Sequence, residues 1–84
     1  MIDAEIKRET AARMRAIYNQ RVTNLRALAQ HCGGFTHLAR DTGYALTQLI
    51  RLAGPGRSRQ IGETLARGIE VAMKLPTGWL DEEH

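Results

Sequence analysis

The chain of 84 residues holds one cysteine, two prolines and four aromatic side chains, Tyr18, Phe35, Tyr44 and Trp79. A lone Cys32 excludes an internal disulfide and suits a reducing compartment, the cytoplasm. With aromatics scarce and Ala and Leu leading the apolar set, the composition speaks against a β-sandwich and for helices. No apolar run approaches the roughly 18 residues that a membrane span needs. The opening Met1-Ile2-Asp3-Ala4-Glu5 is acidic and polar, unlike the start of a secretory signal. The length suits a single core.

Signs of catalysis are missing as well. His31 and Cys32 are neighbours on a helix, so their side chains diverge and cannot pair as base and nucleophile. There is no phosphate-cradling glycine loop of the Walker type. Cys32, His31, His37 and His84 lack the paired spacing of a zinc site. The expectation is a protein that is not an enzyme and carries no metal or other cofactor.

What is present is positive charge. Twelve Lys and Arg face nine Asp and Glu, for a net charge of +3, and three of those acids, Asp81, Glu82 and Glu83, lie in the last four residues. The first 80 residues hold twelve cations and six acids, a net +6. Ten of the cations are Arg, whose planar fork suits phosphate and guanine. A basic surface on a small helical domain favours an anionic polymer as partner.

Apolar residues at Ile6, Met14, Ile17, Tyr18, Val22, Leu25, Leu28 and Ala29 follow a helical spacing. This stretch fits one long helix from about Asp3 to Cys32 or, equally, two with a joint at Asn19-Gln20 and Thr23 as the second N-cap; the reading leans to two helices, or one bent helix. Gly33-Gly34 ends it. Thr36 can cap a short helix to about Thr42, and Gly43 supplies a left-handed turn. A third helix runs from about Ala45 to Ala53 and stops at Gly54-Pro55-Gly56. A fourth begins at Ser58 or Gln60, carries Ile61, Leu65, Ile69, Ala72 and Met73 on one face, and is stopped by Pro76. Gly62 and Gly68 inside it suggest close packing against a neighbouring helix. Trp79 reads as a core plug in a final turn.

The segment Thr36–Leu52 is thus a short helix, a glycine turn and a second helix, with Ala39 small at the crossing and Leu49 and Leu52 closing the core. That is the helix-turn-helix pattern, whose second helix enters the DNA major groove. With Leu49 inward, helical geometry points Thr47 and Arg51 outward, with Gln48 and Ile50 on the flanks and Tyr44 near the entry. Arg51 suits guanine and Gln48 adenine, while Ala45, Leu46 and Ile50 suit thymine methyl groups. Phosphate contacts are expected from Thr36, His37 and Arg40, and from Arg57, Ser58, Arg59 and Gln60. For the loop cations the plain alternative is a solvated surface.

At this point the chain resembles the Cro/repressor-type (XRE-like) helix-turn-helix regulators of phages and prophages. The resemblance rests on Asn24-Leu25…Leu28, Gly33-Gly34-Phe35-Thr36-His37-Leu38-Ala39-Arg40, Thr42-Gly43, Gln60-Ile61-Gly62-Glu63…Leu65-Ala66-Arg67-Gly68-Ile69-Glu70 and Leu75-Pro76-Thr77-Gly78-Trp79-Leu80-Asp81. It covers residues 21–81. Phe35 stands where such proteins usually have a polar residue, and Tyr44-Ala45-Leu46-Thr47 is an unusually apolar opening for a recognition helix. The resemblance points to Ala45, Leu46, Thr47, Ile50 and Arg51 as base readers. It implies an all-α, compact, four- to five-helix lambda-repressor-like domain at 21–81, with its helix-turn-helix at about 36–53.

Residues 1–20 then form an extra N-terminal helical segment, and 82–84 an acidic tail. Ile6, Met14, Ile17 and Tyr18 are the candidate dimerisation residues, since one helix-turn-helix reads only a few base pairs. The expected function is a sequence-specific, Cro-like repressor that binds a palindromic operator in double-stranded DNA as a homodimer. It is expected to have no sensory domain and no membrane contact. The alternatives are an antitoxin that binds DNA and a toxin, or a helix-turn-helix used for contact with a protein such as an antirepressor.

Overall fold

The computed structural model describes residues 2–84, with side chains from Ala4 onward. Four α-helices follow in order: α1 (Ile2–Cys32), α2 (Phe35–Thr42), α3 (Leu46–Ala53) and α4 (Glu63–Ala72). A 3-10 turn at Trp79–Asp81 closes the chain, and the described residues contain no strand. The all-α expectation holds. None of these helices is long and apolar enough to cross a membrane.

α1 is a single helix of 31 residues, so the expected joint at Asn19-Gln20 is absent. The polar residues there bond along the helix instead of interrupting it. Thr23 Oγ1 donates to the Asn19 carbonyl at 3.2 Å, and Gln20 Nε2 to Asn24 Oδ1 at 3.1 Å. At about 1.5 Å per residue such a helix is close to 46 Å long, which accounts for the 48 Å long axis of the molecule. Its two halves have different surroundings. Residues 4–16 are exposed, whereas Val22, Leu25, Leu28 and Ala29 are buried. α1 packs through this second half on α2, α3 and the closing turn, around a core completed by Leu38, Leu49, Leu52, Ile61, Ala66, Ile69 and Leu80.

Gly33 and Gly34 do end α1, both at positive φ, with the Gly34 N–H bonded to the Ala29 carbonyl at 2.7 Å. Gly34 is also the N-cap of α2, so Thr36 lies inside the first turn and is not the cap. α4 starts at Glu63, later than expected, because Ile61 is a fully buried plug ahead of the helix. The carbonyl of Ile61 accepts from Arg21 Nη1 at 2.8 Å. Pro76 is not what stops α4. Lys74 turns left-handed at φ 58°, and the Leu75 N–H returns to the Glu70 carbonyl at 2.8 Å. Gly68 does lie in close packing, though against the hydroxyl of Tyr44 in the turn before α3 and not against a helix, whereas Gly62 is the N-cap of α4 with open space where a Cβ would stand. Trp79 is only half-buried and stacks on His84 with ring centroids 4.1 Å apart, while Leu80 fills the core.

Three polar side chains are buried to hold the closing turn. Asn24 Nδ2 donates to the Leu80 and Glu82 carbonyls at 2.8 and 2.7 Å. Glu70 accepts from the N–H groups of Gly78 and Leu80 at 3.0 and 2.9 Å. Arg21 meets Asp81 through Nε at 2.6 Å and Glu63 through Nη2 at 2.8 Å. The hydrogen bond from Arg21, with a second from Arg67, holds the Asp81 carboxyl below its ordinary range against the opposing effect of burial. The same bond raises the Arg21 guanidinium.

Candidate nucleic-acid interface

The α2–turn–α3 unit is built locally. The Gly43 N–H bonds to the Ala39 carbonyl at 2.9 Å, and Gly43 takes φ 78°, a left-handed value that favours glycine. Thr42 Oγ1 donates to the Leu38 carbonyl at 2.8 Å and accepts from the Tyr44 N–H at 3.3 Å. Ala45 takes an extended conformation as N-cap, so α3 begins at Leu46, one residue later than expected. Leu49 and Leu52 are buried as the pattern required. Thr47 and Arg51 are exposed on the opposite side.

α3 ends at Gly54, whose N–H bonds to the Ile50 carbonyl at 2.7 Å. Arg26 of α1 caps the same end, donating from Nε to the Ala53 carbonyl at 2.7 Å. The loop then folds back, and the N–H groups of Ser58 and Arg59 both bond to the Arg51 carbonyl, at 2.9 and 3.2 Å. This return places Arg59 beside α3. A cleft of about 320 Å³ is lined by Thr47, Gln48, Arg51 and Leu52 of α3, by Arg59, and by Leu65 of α4. Two groups that the sequence assigns to bases and to phosphate thus share one concavity.

Leu65 was not foreseen as part of it. The Gly54-Pro55-Gly56 turn is the signal that could have placed Arg59 near Arg51. The other candidates are distributed around this cleft. Gln48 is half-buried, and Ala45 is exposed at the start of α3. Leu46 and Ile50 form the opposite flank, 38% and 39% exposed. Tyr44 is half-buried, packed on the core with its hydroxyl against Gly68. Thr36, His37 and Arg40 are exposed on α2 and do not line the cleft. Arg57, Ser58 and Gln60 are exposed in the loop. Phe35 packs partly buried against the core.

The electrostatics sort the cations. Arg21 and Arg67 are engaged with carboxylates inside the fold, and Arg26 with backbone carbonyls. Arg51 and Arg59 are exposed and line the cleft beside α3, a helix with no carboxylate of its own, and Arg57 is exposed in the loop. Arg40 makes a longer pair with Asp41, at 3.4 Å. The candidate dimerisation residues all lie on α1 before residue 20, with Ile6 54% and Met14 37% exposed and Ile17 and Tyr18 half-buried. Burial, then the nearby Asp41, push the Cys32 thiol up, which keeps it protonated at neutral pH. Among the described residues, no three His, Cys, Asp or Glu side chains gather in a way that could hold a metal ion.

The fold is therefore that of a small all-helical domain consistent with a helix-turn-helix protein, with Arg51 and Arg59 exposed beside α3 and, among the described residues, in no salt bridge. The chain is 39% identical over 71 residues to the prophage repressor CohE of Escherichia coli strain K12, covering 84% of its own length. This similarity bears out the resemblance to repressor-type regulators of prophages. The chain spans 32% of the length of that relative. No protein-family model matches the chain. No solved structure matches it either.

Proposed function

We propose that this chain is a sequence-specific DNA-binding regulator that represses transcription by occupying an operator, with α3 in the major groove. The observation that carries the reading is the cleft shared by Thr47, Gln48, Arg51 and Arg59 on the exposed side of α3. A base-reading ridge and a phosphate-binding cation are useful together only if both meet one duplex. The similarity to a prophage repressor supports the same conclusion. Two copies joined through the apolar stripe of α1 would read a palindromic operator, one half-site each, and exclude polymerase from the promoter.

Selection of bound sequences from a random duplex library tests this directly. A short palindrome should emerge, bound at least ~10³-fold more tightly than scrambled DNA. Equal, steeply salt-dependent binding to both duplexes would leave only phosphate attraction and overturn the reading. The exposed Leu46 and Ile50 give the protein-contact alternative its one specific support. Co-purification with a partner at fixed stoichiometry, without sequence preference, would favour that alternative.

A further inference from the structure

We infer that the apolar groove between the end of α1 and the closing turn is the seat of a second copy of this chain, which enters it with Ile6 of its own projecting helix. The inference rests on the α1 contact proposed above and assigns the surface that receives it. The groove, of about 410 Å³, is lined by Ala27, Leu28 and His31 of α1 and by Leu75 and Trp79. Ala27 and His31 are exposed and Trp79 is half-buried, so it opens to solvent. A cavity of about 150 Å³ holds a benzene ring, so an isoleucine side chain has room here. The register of α1 couples this groove to Ile6, which is 54% exposed. At about 100° per residue, Leu28 and His31 stand within about 40° of Ile6 around the helix, and Ala27 within about 60°. Ile6 and Leu28 thus share one face of a continuous helix, about 33 Å apart. In a two-fold dimer, residue i meets j while j meets i. Two α1 helices paired antiparallel about an axis at Ile17, midway between, would each bring Ile6 to the other's groove. Both apolar sites are then covered at once, and no free site remains to recruit further copies.

Charge supports the same pairing. Residues 4–16 hold four cations, Lys7, Arg8, Arg13 and Arg15, against Glu5 and Glu9. Residues 75–84, which supply the other wall of the groove, hold Asp81, Glu82 and Glu83 and no Lys or Arg. Asp81 is engaged by Arg21 and Arg67, while Glu82 and Glu83 are exposed. The Glu82 carbonyl accepts from Asn24, one turn before Leu28. An antiparallel partner presents there the residues that follow Ile6. Arg13, two turns after Ile6, is on the same face and brings a cation to this acidic rim.

The test uses the full chain carrying C32A, so that each introduced thiol is unique. The I6C and A27C variants are mixed and treated with a short bis-maleimide. The product joining position 6 of one chain to position 27 of the other should dominate, identified by peptide mass spectrometry. I6C alone should give no linked product, because the two Ile6 positions of an antiparallel pair are about 33 Å apart. A27E, with its fold checked by circular dichroism and thermal melting, puts a carboxylate into the apolar seat. It should raise the dimer Kd at least about ten-fold in sedimentation. Self-linking of I6C would show parallel pairing and overturn the inference. A dimer that gives no mixed product, or that survives A27E unchanged, would also overturn it and leave the groove to another occupant. A chain that stays monomeric at every concentration would remove the α1 contact itself, and this inference with it. The library selection scores the DNA reading separately.

Discussion

Single residues divide into those that hold the fold and those left free to act, and Arg chemistry shows both. Arg21 is buried against Asp81 and Glu63, whereas Arg51 is exposed beside Arg59. Replacing Arg51 by Ala should cost about 1–3 kcal/mol of binding to the preferred duplex and relax selectivity at one base position, read by affinities for single-base variants. Arg59→Ala should weaken preferred and scrambled DNA alike and flatten the salt dependence. Asp81 gives a pH prediction. Its folded-state carboxyl titrates below the unfolded value, so the stabilisation is complete above about pH 4. It is lost as the pH falls through the depressed folded-state value. Asp81→Asn should lower stability near neutrality by about 1–3 kcal/mol and reduce its dependence on acid, measured by urea unfolding across pH. Such roles could not be read from charge alone. The sequence showed twelve cations, but the partners that engage Arg21 lie 42 and 60 residues further along the chain.

At the scale of elements, local chemistry was legible and tertiary contacts were not. Gly43 and the Gly33-Gly34 pair end their helices because their backbone takes conformations that other residues avoid. Four helix locations followed from such signals. The errors were at starts and joints. Thr36 and Thr23 looked like caps by residue type, yet α2 begins on Gly34 and α1 runs through Thr23 without a break. The late start of α4 depends on Ile61 entering the core and on Arg21 taking its carbonyl. Gly54 is a separate case. Its φ is ordinary, but a Cβ there would lie 2.6 Å from the Ile50 carbonyl oxygen, so the backbone would have to move. Gly54→Ala should destabilise the domain by about 1–3 kcal/mol and loosen the return of the loop to Arg51. Gly62→Ala meets nothing within 4 Å and should be close to neutral. Thermal melting of the two variants makes the comparison.

For the whole molecule, the contrast within α1 is decisive. Its second half is the spine of the core, while residues 4–16 project with Ile6 and Met14 exposed. If this stripe joins two copies as proposed, Ile6→Glu with Met14→Glu should shift sedimentation towards a monomer and weaken operator binding. The melting behaviour of the fold itself should change by no more than about 0.5 kcal/mol, since both side chains are on the surface. The sequence by itself determined the helical class, the α2–turn–α3 unit and the outward set on α3. These follow from periodicity and from glycine conformations, which act within a few residues. Only the tertiary structure decided that α1 is one helix, that Leu80 and not Trp79 fills the core, and that Arg59 shares a cleft with Arg51. The reason is physical. Whether a polar side chain breaks a helix, or an arginine is buried or free, depends on partners that distant parts of the chain supply only once it has folded.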